Sequence, residues 1–281
     1  MDCSDVDVVF HLSALVHQMG GASAEEYDRV NVTQTLELAR KAKESGVKHF
    51  VFMSTVKVYG EETDSVYTEH SECHPEDEYG KSKLKAEIEL LGLSEDGVGD
   101  SDGFSVSIIR TPIVYGYGVK ANIKSLVSLV SKVPVLPFGG IENRRSMVYV
   151  GNLCHLVDVV IGFRVKHGMT ENCHSELDSE SHNIFLASDD EPLSTTRLIE
   201  LIAKNLGKKI YLVKIQFFQG KFATQPFETF LKLLKPSFHK RLYGSLEVDN
   251  SITKELLLCE AKASLPYSVE EGIGLMLNGE F

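Results

Sequence analysis

The sequence lacks long apolar runs and paired cysteines. No stretch of its 281 residues reaches about 18 apolar positions, and the residues after Met1 do not form a signal peptide. The five cysteines are scattered and show no CxxC spacing, which indicates reduced thiols and a cytoplasmic location. Cys173, His174 and His182 lie close together without the spacing of a metal site, so we predict a surface loop there and no bound metal.

Positive charge is also in short supply. The chain has 29 Lys and Arg against 40 Asp and Glu, a net charge of −11. This balance disfavours nucleic acid and anionic membrane surfaces as partners, and we predict no membrane insertion. It does not exclude a small anionic ligand, because local arginines can override the global charge. Hydrophobic residues make up 43% of the chain, which is ample for a core.

Strand and helix patterns alternate along the chain, as a parallel sheet requires. Buried strands are predicted near residues 8–12, at Val47–Met53 and at Phe104–Arg110. Predicted helices occupy Ala24–Ser45, Glu78–Leu91, Ile123–Val130, Asn152–Phe163, Ser194–Leu206 (with Ser194 as N-cap) and Val269–Leu277. After about Pro192 the alternation loosens into a smaller, mainly helical region. The pattern predicts an α/β protein with one large or two coupled domains.

A tyrosine and a lysine form the most informative pair of residues. In the segment EYGKSK at 78–83, Tyr79 and Lys83 lie one turn apart on the same helix face. A nearby ammonium lowers a tyrosine pKa, and such a tyrosine can take a proton from a sugar or steroid hydroxyl as hydride leaves. The alternative is an ordinary helical neighbour pair on a solvated face.

Two hydroxyl residues stand at the end of a predicted strand, upstream of this pair. Ser54 and Thr55 follow Val47–Met53, at the edge where open parallel sheets place ligands. Thr55 could therefore share a hydrogen bond to substrate with Tyr79. The alternative is a Ser-Thr turn with no chemical role.

Seven motifs in order resemble the extended short-chain dehydrogenase/reductase family, specifically its nucleotide-sugar epimerase/dehydratase branch. They are DVVFHLSA at 7–14, NVTQT at 31–35, STVKVYG at 54–60, YGKSK at 79–83, RTPIVYGYG at 110–118, NRRSMVYV at 143–150 and SVEEG at 268–272. Gln34 stands where the family usually has glycine. The resemblance implies a Rossmann-like doubly wound parallel sheet with a smaller mixed C-terminal substrate domain. It places the NAD-binding part at 1–163 and the substrate cap mainly at 164–281, with part of 113–150 joining the substrate site.

The same resemblance assigns roles to individual residues. It implies Thr55, Tyr79 and Lys83 as catalytic residues. For NAD, with NADP possible, it implies contacts from Leu12, Ser13, Ala14, Asn31, Tyr79, Lys83 and Pro112. For the diphosphate of a UDP-sugar it implies Asn122, Arg145 and Arg241, with a surface arginine pair as the alternative for Arg144 and Arg145. A guanidinium fork suits phosphate oxygens. A homodimer is also implied.

One element of that family is missing from the sequence. No G-x-x-G-x-x-G turn for the cofactor pyrophosphate follows a strand, and Gly20-Gly21 is the nearest approach. The expectation is an N-terminally truncated sheet, short of about two βα units. The strands near Val8–Leu12 and Val47–Met53 should then lose a neighbour. We therefore expect the 281-residue chain to be poorly soluble and to carry no bound NAD.

The resemblance also narrows the reaction. Dehydratases of this branch follow the catalytic threonine with Asp-Glu, whereas this chain has Val56 and Lys57, which disfavours dehydration. The remaining prediction is an epimerase at C4 of a UDP-hexose, working through a 4-keto intermediate in surface-polysaccharide synthesis. The open alternatives are a UDP-4-keto-sugar reductase, an inactive cofactor-free homologue and a hydroxysteroid-type dehydrogenase.

Overall fold

A computed structural model describes most of the chain. The described residues are 3, 5–16, 22–95, 103–167, 183–214, 243–261 and 264–279. Their strands are β1 (Val8–His11), β2 (His49–Thr55), β3 (Ser105–Thr111), β4 (Ile113–Tyr115), β5 (Val135–Gly139), β6 (Met147–Tyr149), β7 (Ile184–Leu186) and β8 (Tyr211–Lys214). Their α-helices are α1 (Ala24–Tyr27), α2 (Gln34–Glu44), α3 (Glu78–Glu95), α4 (Ala121–Lys132), α5 (Val150–His167), α6 (Thr195–Asn205), α7 (Ser251–Ala261) and α8 (Val269–Asn278).

The main sheet is parallel and has the strand order β1-β2-β3-β7. Along β2, Phe50 and Phe52 pack toward α2 and α3, whereas Val51 packs toward α5 and α7. Successive side chains of a strand point to opposite faces, so this alternation covers the sheet with helices on both sides. The predicted Rossmann-like α/β fold is confirmed.

The sheet order corrects one expectation about exposed strands. Strand β2 pairs with β1 on one side and with β3 on the other, so it lacks no neighbour. Of the two strands expected to lose a neighbour, β1 alone lies at an edge of the sheet, and β7 forms the opposite edge within the described chain. The error arose because the sequence does not show which strands lie side by side. Strand β7, which follows the predicted boundary at residue 163, pairs with β3 and completes this sheet.

A second core lies beside the main sheet. The parallel pairs β4–β6 and β5–β8 pack with α4, α6 and α8 around buried aromatic and aliphatic side chains, among them Phe138, Tyr149 and Ile202. These short strands were not predicted, and β8 lies in the region expected to be mainly helical. Strand β8 forms because it pairs with β5 across the chain, which is a contact that local sequence does not reveal.

Most predicted helices are present with small shifts of their ends. The Ser194 side chain accepts a hydrogen bond from the Arg197 backbone N–H, which confirms the predicted N-cap of α6. The predicted helix Ala24–Ser45 is interrupted by a π-helical segment, Asp28–Thr33, that buries Asn31. Among the described residues, no helix has the length and apolar character that crossing a bilayer requires.

Candidate active site

The carboxyl ends of β2 and β3 meet at one edge of the sheet, where they open onto a cavity. Thr55 ends β2 and Pro112 follows β3, and both line the cavity, which has a volume of about 460 Å³. Tyr79, Asn122 and Arg145 line it as well. Five residues that the sequence predicted for catalysis, cofactor or substrate therefore share one cavity.

Tyr79 is fixed in this cavity by the first turn of α3. The Asp77 carboxylate accepts a hydrogen bond of 2.7 Å from the Gly80 backbone N–H and so caps the helix. Gly80 also lets the helix approach the turn after β2, because an added Cβ would lie 2.9 Å from the Lys57 carbonyl oxygen. The lack of a side chain at Gly80 thus brings Tyr79 close to the end of the strand that carries Thr55.

The pKa of Tyr79 moves in the direction opposite to the one expected. Burial, the Asp77 carboxylate and Tyr27 raise the pKa of Tyr79 to about 12. The sequence predicted a lowered pKa from Lys83, but the Lys83 Nζ donates instead to the Met53 carbonyl oxygen at 2.8 Å. In this structure the Lys83 ammonium is held by strand β2. The burial of Tyr79, which disfavours a charged phenolate, therefore outweighs the attraction between that phenolate and the ammonium.

Lys83 lies beneath the cavity rather than in its wall. It is 2% exposed, and its Nζ is 4.2 Å from the centre of the Phe52 ring. Burial lowers the pKa of Lys83 to about 8, although the Glu87 carboxylate acts in the opposite direction. His11, on β1, is half-buried, stacks on Phe52 and hydrogen-bonds the Thr35 hydroxyl.

Asn31 connects three parts of the site without lining the cavity. Its side chain exchanges hydrogen bonds with the Leu15 backbone N–H and carbonyl, at 2.7 and 3.0 Å, and donates to Ser82 Oγ at 3.0 Å. Asn31 therefore fixes the segment after β1 against α3. Its predicted contact with cofactor stays a prediction.

The segment after β1 presents Leu12, Ser13 and Ala14 at the same edge of the sheet. Leu12 and Ser13 are exposed and Ala14 is half-buried. Together with Pro112, these residues lie at the carboxyl ends of the strands, where open parallel sheets bind ligands, whereas Lys83 is buried. This arrangement is compatible with the nicotinamide half of a dinucleotide, and the individual contacts with NAD stay predictions.

The two neighbouring arginines have different surroundings. Arg144 is exposed and forms an ion pair with Glu247 at 2.5 Å. Arg145 is half-buried and lines the cavity, and its Nη1 donates to the Gly244 carbonyl oxygen at 2.9 Å. Of the pair, Arg145 is thus the one placed to meet a ligand. Arg241, the other predicted phosphate contact, lies outside the described residues.

A buried ion pair behind the cavity was not predicted. Glu87, on α3, accepts hydrogen bonds from Arg110 Nε and Nη2 at 3.1 and 2.6 Å, and also from the Ser54 hydroxyl. Arg110 Nη1 donates to the Tyr59 hydroxyl at 2.6 Å. Burial alone would lower the pKa of Arg110, because it disfavours the charged guanidinium. The interactions with the Glu87 carboxylate act in the opposite direction, and the net effect is a raised pKa of Arg110. The i, i+4 spacing from Lys83 could have identified Glu87 as a member of the same helix face.

A second unpredicted group lies in the cavity wall itself. Lys57 Nζ is 2.5 Å from a carboxylate oxygen of Glu61 and 2.5 Å from one of Asp77. Lys57 and Glu61 both line the cavity. The sequence showed Lys57 only as a departure from the dehydratase pattern. Among the described residues, no group of three or more His, Cys, Asp or Glu side chains could hold a metal ion.

Comparison with known proteins identifies the class. Residues 2–214 match the model of the 3-beta hydroxysteroid dehydrogenase/isomerase family, and the chain belongs to that family, within the extended short-chain dehydrogenases/reductases and their epimerase/dehydratase enzymes.

Three of the proteins similar to this chain are UDP-sugar 4-epimerases by name. The chain is 38% identical to a UDP-glucose 4-epimerase of Vibrio cholerae over 256 residues, which span 89% of this chain and 70% of the relative. It resembles the solved UDP-N-acetylglucosamine 4-epimerase of Bacillus cereus with a TM-score of 0.69 and 20% identity, covering 98% of this chain and 79% of that one. For the UDP-glucuronic acid 4-epimerase of Bacillus cereus with NAD, the TM-score is 0.67 and the identity 18%, covering 98% and 74%.

Proposed function

We propose that this protein is an NAD-dependent epimerase that inverts C4 of a UDP-hexose through a 4-keto intermediate. The observation that carries the proposal is the shared cavity, which combines Thr55 and Tyr79 with Asn122 and Arg145. The first pair suits acid/base work on a hydroxyl, and the second suits a diphosphate. The 38% identical relative is a UDP-glucose 4-epimerase, which supports the same substrate class.

The side chains divide the reaction between them. With its pKa raised to about 12, Tyr79 is protonated at neutral pH and can donate to the oxygen of a 4-ketose. To remove the proton of a 4-hydroxyl, Tyr79 needs a lower pKa in the ligand-bound protein, and the nearby Lys83 ammonium is the group that can supply this effect. Thr55 adds a hydrogen bond to the same substrate oxygen. Bound NAD supplies an acceptor for hydride and a donor for its return.

Arg145 and Asn122 would hold the substrate diphosphate. Both also line a smaller adjoining cavity of about 50 Å³, beside the N-terminus of α4. A guanidinium binds phosphate oxygens through two parallel hydrogen bonds. Such contacts would keep the nucleotide bound while the ketose turns to present its other face to the cofactor.

The remaining features of the proposal rest on the family resemblance. They are a homodimer, a cytoplasmic location, a role in surface-polysaccharide precursor synthesis, and an NAD-binding part mainly before residue 163 with a mainly substrate-binding part after it, from which β7 returns to the main sheet. NAD is proposed over NADP. The runner-up function is a UDP-4-keto-sugar reductase, which would use the same side chains but deliver hydride once.

The first test is turnover of UDP-glucose to UDP-galactose with added NAD. Tyr79→Phe should lower turnover by a factor on the order of 100 to 10,000 and leave UDP-glucose binding nearly unchanged. Tyr211→Phe, at an exposed position, is the matched control. Wild-type turnover in Tyr79→Phe would remove that residue from catalysis. No interconversion of UDP-sugars by the wild-type chain would contradict the proposal.

A second test separates a nucleotide sugar from a steroid. Arg145→Ala should weaken UDP binding, measured by calorimetry, by about 1.5–3 kcal/mol, the range for hydrogen bonds to charged groups. Arg144→Ala is the control, because that side chain is exposed and paired with Glu247. Binding of a sterol without any binding of UDP would favour the hydroxysteroid alternative.

A further inference from the structure

Lys57 contacts both of the segments that carry the proposed catalytic residues Thr55 and Tyr79. Its backbone N–H donates to Thr55 Oγ1 at 3.3 Å, directly after strand β2. Its side-chain Nζ lies 2.5 Å from a carboxylate oxygen of Asp77, two residues before Tyr79. Lys57 therefore joins the turn after Thr55 to the start of the helix that carries Tyr79.

Asp77 extends this contact to helix α3 through its second carboxylate oxygen. Its Oδ2 binds the Lys57 ammonium, and its Oδ1 accepts the 2.7 Å hydrogen bond from the Gly80 backbone N–H. The Lys57 main chain meets the same turn of the helix, because its carbonyl oxygen would lie 2.9 Å from a Cβ added at Gly80. Lys57 thus contacts the first turn of α3 through both its side chain and its main chain.

The surroundings of the Lys57 ammonium favour a structural contact over a contact with substrate. Its side chain is 23% exposed and that of Asp77 is 27% exposed, so solvent screens this ion pair only in part. The Glu61 carboxylate lies 2.5 Å from the same Nζ. Although Lys57 lines the main cavity, its ammonium is already bound by two carboxylates and is less available to a ligand.

We propose that Lys57 is a positioning residue, which acts through Asp77 to hold the turn that carries Tyr79 beside the end of strand β2. This inference rests on the proposed function, which gives Tyr79 its task in the reaction. Catalysis depends on the placement of the reacting groups, and a misplacement of about 1 Å can cost on the order of 100-fold in rate. Loss of the ion pair should therefore slow the reaction more than it weakens binding of the UDP-sugar.

The first readout separates kcat from binding, with UDP-glucose as substrate and added NAD. Lys57→Met should lower kcat by a factor on the order of 10 to 100 and change the dissociation constant of UDP-glucose by less than about twofold. Lys57→Arg keeps a cation beside Asp77 and should recover most of the lost kcat. Lys85→Met is the matched control with wild-type kcat, since it removes the lysine of another Lys–Asp ion pair on α3, outside the main cavity.

The second readout does not depend on turnover. Amide hydrogen exchange at Gly80, followed by NMR, reports the hydrogen bond that Asp77 accepts, and it should be about tenfold faster in Lys57→Met and unchanged in Lys85→Met. Unchanged exchange at Gly80, or an unchanged kcat in Lys57→Met, would overturn the positioning role only. No turnover by the wild type would overturn the proposed function, and exchange at Gly80 would still decide whether Lys57 holds the start of the helix.

Discussion

Removing the carboxylate of Glu87 should be among the most destabilising single changes in α3. Glu87 is 1% exposed and Arg110 is 4% exposed, and the carboxylate accepts hydrogen bonds from the guanidinium and from Ser54. Glu87→Ala leaves the buried Arg110 cation with the Tyr59 hydroxyl and the Cys73 thiol, neither of which is a counter-charge at neutral pH. Breaking a buried ion pair from one side costs about 3–5 kcal/mol, because the remaining charge has no counter-charge.

The assay is urea unfolding followed by circular dichroism, with the midpoint and slope fitted separately. Glu89→Ala is the control, since Glu89 is exposed on the same helix and should change stability by less than about 0.5 kcal/mol. The double variant Glu87→Leu with Arg110→Met removes both charges and should recover most of the loss. A loss below about 1 kcal/mol in Glu87→Ala, or a double variant as unstable as the single one, would refute the reasoning.

Two further predictions concern the same helix. Burial lowers the pKa of Lys83 from 10.5 to about 8, so the folded state bears the cost of a buried ammonium below pH 8. Lys83→Met should therefore raise the free energy of unfolding at pH 7, by on the order of 2 kcal/mol, and the gain over wild type should shrink between pH 8 and 10.5. A pH-independent difference would contradict this. Gly80→Ala should lower the free energy of unfolding by about 1–3 kcal/mol, because the added Cβ overpacks against the Lys57 carbonyl oxygen. Gly92→Ala, where the added Cβ has open space, should instead stabilise the protein. Equal effects of the two substitutions on urea unfolding would exclude the close-approach argument.

The sequence predicted the elements with long, regular patterns. Strands β1, β2 and β3 and helix α3 were found because apolar residues recur over enough positions to define a period. Strands β4 and β6 have three residues each, which is too few to show one. The motif order placed Thr55, Tyr79, Pro112, Asn122 and Arg145, and the structure brings these five together in one cavity.

The electrostatics of the site could not be predicted in the same way. The sign of the Tyr79 pKa shift depends on burial and on where the Lys83 ammonium donates its hydrogen bonds. Neither is visible in a YxxxK spacing. The contact of Lys57 with Asp77 joins residues 20 positions apart in a segment without regular structure, and the pairing of Glu87 with Arg110 joins a helix to a strand. Such contacts become visible only when the fold is known.

Helix α3 holds three side chains of the candidate site at a fixed spacing. Tyr79, Lys83 and Glu87 follow one another at intervals of four residues, about 6 Å of axial rise each. Glu87, at the C-terminal end of this row, forms an ion pair with Arg110 of β3. Asp77, just before the N-terminal end of the row, forms an ion pair with Lys57. A single-residue insertion between Tyr79 and Glu87 would rotate these side chains by about 100° relative to each other around the helix axis, so that Tyr79, the proposed acid/base group, would lose its alignment with the Glu87–Arg110 pair. We therefore expect any closing movement around a ligand to come from the opposite wall, with Asn122 and Arg145, while α3 stays still.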